Sequence, residues 1–497
     1  MKHISTLSIL LFCSILAQAQ PSLSGQLDTS YFKQSDFEWH VTPRHDYSQT
    51  LVGKFFLSQA HWDQQFKLRD NGEQTVYMDC GQALEAIKAM DAITMGMDKV
   101  IYLVGWQYNG HDSKYPAFFE CNEAIKAPGD ESAHESILKL MEEARKYNTS
   151  VSFHINMFNC YDDSPLFEKY KEDDVLARHI NGEYLHSDWG WTVSYARDWA
   201  TGNAQARLDR LCELFPIAES GTLHIDAFHT NVPVPVVEGD EIVIRYMSPI
   251  SPYHKLTVED EIEAQLNIIK YLDAKGIDVT CEGWSNDAFS GYIPAVWHKT
   301  VRDLYLTMTP SQIGGTNADY MGDVFGRNVN TEQAFKDGGD TMAEKTETFK
   351  KEFCRKSLPC MYLNTLTPVA YVASKDCDDA EAIFSNGVRT FFIEEGEKFF
   401  MYKDGEKMAE DGNLFIPALW AGEGVVVAYS ENGYEKMEWT VPSEIKVRSF
   451  AKAYVVDAEG QHYAGKVKVH GRKVAISLKP GEMLRLEFSN SNSIRCT

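Results

Sequence analysis

Basic residues are scarce in this sequence: 48 Lys and Arg stand against 72 Asp and Glu, a formal charge of −24. A chain so charged repels phosphate backbones and anionic membrane surfaces, which argues against nucleic acid as a partner. Long apolar runs are missing as well. The one near the start is shorter than the ~20 residues that a spanning helix needs, and no later segment reaches that length, so no membrane span is expected. Cysteine contributes 10 of 497 residues and never forms a Cys-x-x-Cys unit, which removes the usual structural zinc sites. No His-Glu-x-x-His, no Asp-x-Asp-x-Asp-Gly loop, no Gly-x-Ser-x-Gly elbow and no Gly-x-Gly-x-x-Gly turn appears. Zincin, calcium-loop, serine-hydrolase and dinucleotide chemistry therefore lack their signatures, and no cofactor or metal is expected.

What is present begins with an export signal. Lys2 and His3 precede an apolar stretch from Leu7 to Leu16, and Ala17-Gln18-Ala19 closes it, so residues 1–19 read as a signal peptide. The mature chain is then expected near Gln20, in a secreted or periplasmic location. In such an oxidising setting Cys354 and Cys360 are candidates for a disulfide.

The remaining chain divides by pattern. Residues 20–80 alternate aromatic and polar positions, as in Phe37-Glu38-Trp39, and read as a β-rich lead-in. Helical spacing then alternates with short apolar runs: helices at 83–95, 134–147, 203–215 and 258–274, strands at 100–104, 150–155, 222–226 and 277–282. Weaker strand candidates follow at 303–308 and 360–364. Strands separated by helices pair in parallel, and repeated units over this length predict an α/β fold of the (β/α)8 TIM-barrel type across residues 81–375. A doubly wound sheet is the structural alternative. From about 380 to 490 the pattern becomes short strands parted by turns such as Asp404-Gly405 and Pro480-Gly481, which predicts a C-terminal β-sandwich.

A barrel carries its chemistry at the C-terminal ends of its strands. The first predicted strand leads into Gly105-Trp106-Gln107-Tyr108-Asn109-Gly110-His111-Asp112, a polar and aromatic run suited to sugar hydroxyls. Its ordinary reading is a turn capped by Asp112. The second ends in His154-Ile155-Asn156, with His154 and Asn156 on one side of the strand. His154 reads equally well as a satisfied core histidine. The third ends in His224-Ile225-Asp226 and the fourth in Cys281-Glu282-Gly283-Trp284, each placing a carboxylate after apolar residues. Such carboxylates are costly unless paired or used. Desolvation beside Trp284 would raise the Glu282 pKa, as a general acid requires. Two carboxyls about 5 to 5.5 Å apart form the retaining glycosidase pair. Ser187-Asp188-Trp189-Gly190-Trp191 adds two aromatic faces of the kind a saccharide groove uses, or that a core packs.

These motifs, taken in order, resemble the endo-α-N-acetylgalactosaminidases of glycoside hydrolase family 101 and their relatives in family 129. The resemblance runs over about residues 98–330, and Gly110-His111-Asp112-Ser113 with Trp189-Gly190-Trp191 is its most specific part. It implies Asp226 as nucleophile, Glu282 as acid/base and Asp112 as a ligand of sugar hydroxyls. Trp189 and Trp191 become a lid or platform, and His111, His154 and Asn156 supporting contacts. The implied substrate is an O-glycan carrying α-linked N-acetylgalactosamine, on a carbohydrate or glycoprotein partner. One departure is an insert from about Asn231 to Lys255, rich in proline, which lengthens the Asp226 to Glu282 interval. It leaves open endo release of galactosyl-β-1,3-N-acetylgalactosamine and exo action on a terminal sugar, with a plain α-galactosidase and a non-catalytic glycan-binding protein as the competing expectations.

Overall fold

The computed structural model describes residues 38–62, 70–187, 190–228, 234–238, 241–245, 250–282, 287–297, 322–373, 379–393 and 395–488. The signal-peptide segment 1–19, the start of the lead-in, Trp189, Trp284 and the candidate strand 303–308 lie outside these residues, as does part of the insert.

Among the described residues, five parallel strands form the central sheet: Leu51–Phe56, Lys99–Val104, Thr149–Asn156, Thr222–Asp226 and Asp278–Cys281. They are hydrogen-bonded in that order, each beside the next in sequence, without the reversal of a doubly wound sheet. Four of them match the predicted runs. The first, Leu51–Phe56, lies in the segment expected to be a separate lead-in; Lys54 interrupts its apolar run and hides its strand character. Next to it, Ser58–Trp62 and Asp70–Val76 make the hairpin that the lead-in pattern implied.

Helices Cys80–Thr94, Ala133–Ala144, Asn203–Leu214 and Val258–Asp273 fill the crossovers. Their starts are written locally. Asp79 with Gln82, and Thr257 with Asp260, form capping boxes, and the Ser132 side chain accepts from the Glu135 amide.

Along each strand one set of side chains packs outward under the helices, including Phe55, Leu103, Phe153, Ile225 and Val279 in the main core. The alternate set points inward and is largely polar: Lys54, Tyr102, Ser152, His154, His224, Asp278 and Thr280. The Tyr47 hydroxyl donates to Asp278 at 3.0 Å and lies 2.9 Å from the Thr222 hydroxyl, tying the inner face together. The sheet is strongly curled. Edge strands of a flat five-stranded sheet lie about 19 Å apart, yet Lys54 of the first strand bonds Glu282 at the end of the fifth.

The closed eight-stranded barrel expected from sequence is described as this five-stranded parallel sheet. The other later candidate, 360–364, is a correction: it belongs to the helix Leu358–Leu363. Short apolar runs do not separate a strand from a buried helix by periodicity. The same helical path corrects the disulfide. Cys354 and Cys360 are both buried, and no disulfide joins them. Six residues of helix advance the chain about 9 Å, beyond the Cα separation a disulfide spans.

From Pro368 to Glu487 twelve strands of the described residues form one antiparallel sheet. Five strands separate Asn413–Pro417 from Tyr434–Thr440 in its hydrogen-bonding order, yet Phe415 and Trp439 stack at 5.5 Å. The sheet therefore folds over itself in two layers, around a second core containing Val426, Ile476 and Leu486. Its first strands pack instead on the α/β part: Phe384, Val388 and Met401 join the main core, and Trp420 donates to the Thr94 carbonyl at 2.7 Å. No helix among the described residues is long and apolar enough to cross a membrane.

Candidate active site

Strand register decides which residues meet. Asn156 pairs with Asp226 and His154 with His224, while Ile225 pairs with Cys281 and so leaves Glu282 one step further on, beside Asp226. Side-chain alternation aims Asn156, Asp226 and Glu282 at the same inner space, with His154 and His224 one layer below. The two sequence-predicted carboxylates are thus neighbours in space.

Asp226 accepts a hydrogen bond from Asn156 Nδ2 at 3.1 Å, and His154 Nε2 lies 3.6 Å from the same oxygen. Asn156 is itself oriented, because its Oδ1 accepts the backbone N–H groups of Phe158 and Asn159, both at 2.9 Å. Lys54 donates to Glu282 Oε1, and His224 Nε2 stands 4.0 Å from that atom. The His224 ring is held by a 2.9 Å contact with Thr280 and by packing at 5.1 Å on Tyr102.

The electrostatics of the pair are asymmetric. Burial pushes the Asp226 carboxyl well up, and the charge of Glu282 and a hydrogen bond to it push the same way against the opposing Lys54. Burial would also raise Glu282, but the Lys54 ammonium, with a hydrogen bond from His224, brings it well below the usual carboxylate range. In the free protein the shared proton thus resides with Asp226, opposite to the order expected from Trp284. The cause is Lys54, a cation delivered by a strand that the sequence pattern conceals.

His154 is buried at 3% exposure, and among the described residues neither ring nitrogen has a hydrogen-bond partner. Burial lowers its pKa well below the ordinary value, and the nearby Lys54, His111 and His224 act the same way, so it is a neutral imidazole. His111 packs edge-on to His154 at 5.2 Å, and its Nε2 is 3.4 Å from Asp112 Oδ2. Asp112 adopts a left-handed φ of 60°. Burial raises its carboxyl, opposed by His111 and reinforced by Glu282. The space between the strand ends is thus lined by a neutral imidazole, an oriented amide and carboxyls raised by burial.

Ligand atoms of His154, His224 and Glu282 lie within 4.8 Å of one another, a spacing that could hold a metal ion. Lys54, bonded to Glu282 Oε1, already brings a positive charge to this space.

Other predicted residues fall elsewhere. Trp191 belongs to a small antiparallel ribbon, donates Nε1–H to Asp162 and packs on His186 at 4.6 Å. Among the described residues, no hydrogen bond or ring contact joins it to the carboxyl pair. Trp106, within the predicted subsite, is fully buried and donates to the His154 carbonyl at 3.1 Å, a structural role. Lys54, His224 and Trp297 were missed. A lysine inside Leu51-Val52-Gly53-Lys54-Phe55-Phe56, and a histidine two residues before Asp226, were the available signals.

The model of the endo-α-N-acetylgalactosaminidase family matches residues 76–233. That stretch holds His111, Asp112, His154, Asn156, Trp189, Trp191 and Asp226, whereas Lys54 and Glu282 lie beyond it. Over that stretch, about a third of the chain, the sequence is similar to these glycoside hydrolases. Among solved structures, the ligand-free α-N-acetylgalactosaminidase of Bifidobacterium bifidum is similar at 13% identity, covering 71% of this chain and 57% of that one, with a TM-score of 0.48. A family 36 α-galactosidase of Geobacillus stearothermophilus is similar at 10% identity and a TM-score of 0.40, covering 89% of this chain and 56% of that one. An Anoxybacillus α-amylase reaches 10% identity and 0.40 over 90% of this chain and 99% of its own.

Proposed function

We propose that the protein is an exported retaining glycoside hydrolase that cleaves α-linked N-acetylgalactosamine from O-glycans, on a (β/α)8 barrel of which five strands are described. The carrying observation is the direct pairing of Asp226 and Glu282 at adjacent strand ends, with Lys54, His154 and Asn156 around them. The curl that brings the first strand to the fifth supports closure of the barrel.

One proton shared by two carboxyls is the protonation state that retention requires. A sugar whose anomeric carbon enters between them separates the pair, and the proton passes from Asp226 to Glu282. Glu282 then protonates the glycosidic oxygen as Asp226 attacks the anomeric carbon, and the leaving alcohol departs from a glycosyl-enzyme. In the second half Glu282 takes a proton from water, which displaces Asp226 on the same face. His111, Asp112, His154 and Asn156 line the sugar's side of the pocket in this reading.

Backbone strands Val234–Glu238 and Glu241–Arg245 form a hairpin in the insert that follows the nucleophile strand. Its place supports action on a single terminal sugar. The test is hydrolysis of p-nitrophenyl α-glycosides by the purified protein, with N-acetylgalactosamine, galactose and the galactosyl-β-1,3-N-acetylgalactosamine disaccharide as donors. Release of N-acetylgalactosamine alone supports exo action, release of the disaccharide supports endo action, and galactose as sole substrate supports the α-galactosidase. Silence on all three, with retained glycan binding, would replace the hydrolase with a binding protein.

A further inference from the structure

Lys54 stands outside the predicted motifs and outside the family match. Its side chain is 2% exposed, its Nζ bonds Glu282 Oε1, and the Trp297 ring lies 5.1 Å away. Taking an ammonium out of water costs several kcal/mol, and only a well-placed counter-charge offsets that. The strand fixes its direction. Lys54 pairs with Tyr102, an inward residue, and the Lys54 N–H and C=O are both bonded to the Thr331 hydroxyl, at 2.7 and 2.9 Å.

The groups facing Glu282 come from four further places. His224 and Asp226 come from the fourth strand, His154 from the third, Asp112 from the loop after the second, and Trp297 from the segment after Glu282 itself. Into this set of three carboxyls and two histidines Lys54 brings a fixed positive charge on a rigid strand.

We propose that Lys54 is the positioning residue of the acid/base carboxyl: its ammonium holds Glu282 toward the first strand and stabilises the ionised form that Glu282 takes after protonating the leaving oxygen. The inference rests on the hydrolase reading for its catalytic meaning, while the ion pair itself is open to test without turnover. Removing the ammonium favours the protonated carboxyl, so the basic limb of the kcat/KM profile, which reports loss of the dyad's proton, moves to higher pH. An opposite charge at this range shifts a carboxyl by about 1 to 3 pH units.

Two measurements decide it. In protein labelled with carbon-13 at the glutamate carboxyls, Glu282→Gln identifies the Glu282 resonance. We expect its titration midpoint below the ordinary glutamate range in the wild type, about 1 to 3 units higher in Lys54→Gln, and near wild type in Lys54→Arg. An ordinary or raised midpoint in the wild type overturns the proposal even where Lys54→Gln does not fold, as does an unmoved midpoint in a folded Lys54→Gln. In the second, the basic limb on p-nitrophenyl α-N-acetylgalactosaminide should shift with the midpoint in Lys54→Gln and stay in Lys54→Arg; uniform loss of activity with an unmoved limb overturns the positioning role. A shifted midpoint in a protein inactive on every glycoside keeps the ion pair and removes the hydrolase reading alone.

Discussion

Asp226 and Glu282 differ only in what surrounds them, and the surroundings assign their roles. Asp226→Ala removes the proposed nucleophile and Glu282→Gln the acid; each should lower turnover by several orders of magnitude while glycan binding, followed by calorimetric titration, persists. Normal activity in either variant would sink the pairing. A second buried carboxyl makes a separate prediction. Glu261 is buried at a helix start, where it accepts from Ser194 Oγ at 2.6 Å and the Ala196 amide at 3.1 Å. Burial pushes its pKa to about 7 despite those bonds. The folded state therefore keeps a proton that the unfolded chain has released, so this group's contribution to stability falls as pH rises from about 4.5 to about 7, by on the order of 3 kcal/mol. Urea unfolding across that window should show the decline, and Glu261→Gln, neutral throughout, should flatten it.

At the scale of elements, a glycine and a strand show what local pattern conveys. Gly105 ends the second parallel strand with φ +76°, and a Cβ there would lie 1.9 Å from the Ser58 carbonyl oxygen. Gly105→Ala combines left-handed strain with backbone overlap, so a loss of at least about 2 kcal/mol is expected, read as a lower Tm. Function should fall with it, since this turn leads into His111 and Asp112. The turn was legible because glycines flank a polar run after an apolar one. The strand Leu51–Phe56 was not, because Lys54 and Gly53 break its apolar run and a strand signal is only a few residues long. Residues 360–364 failed for the converse reason: a short apolar run is compatible with strand or buried helix, and only packing chooses.

For the whole molecule, the boundary near 375 to 380 marks a change of pattern that does not divide the core. Phe384 is buried beside Phe325 at 5.6 Å, and the first part of the antiparallel sheet shares one apolar cluster with the helices around the parallel sheet. Phe384→Ala should cost about 3 to 5 kcal/mol and lower the unfolding of the α/β part together with that of the adjoining sheet in scanning calorimetry. An unmoved transition of the α/β part would mean that the two unfold separately.

The sequence by itself determined the alternation of helix and strand, the change to antiparallel strands near 380, the capping residues and the two carboxylates at strand ends, because periodicity, caps and polar residues after apolar runs act over a few neighbouring positions. It carried the resemblance to the endo-α-N-acetylgalactosaminidases for the same reason. Only the tertiary structure decided that Lys54 meets Glu282 and that the free pair's proton sits with Asp226, since both follow from the curl of the sheet, which joins residues 228 positions apart and sets the charge that each carboxyl faces.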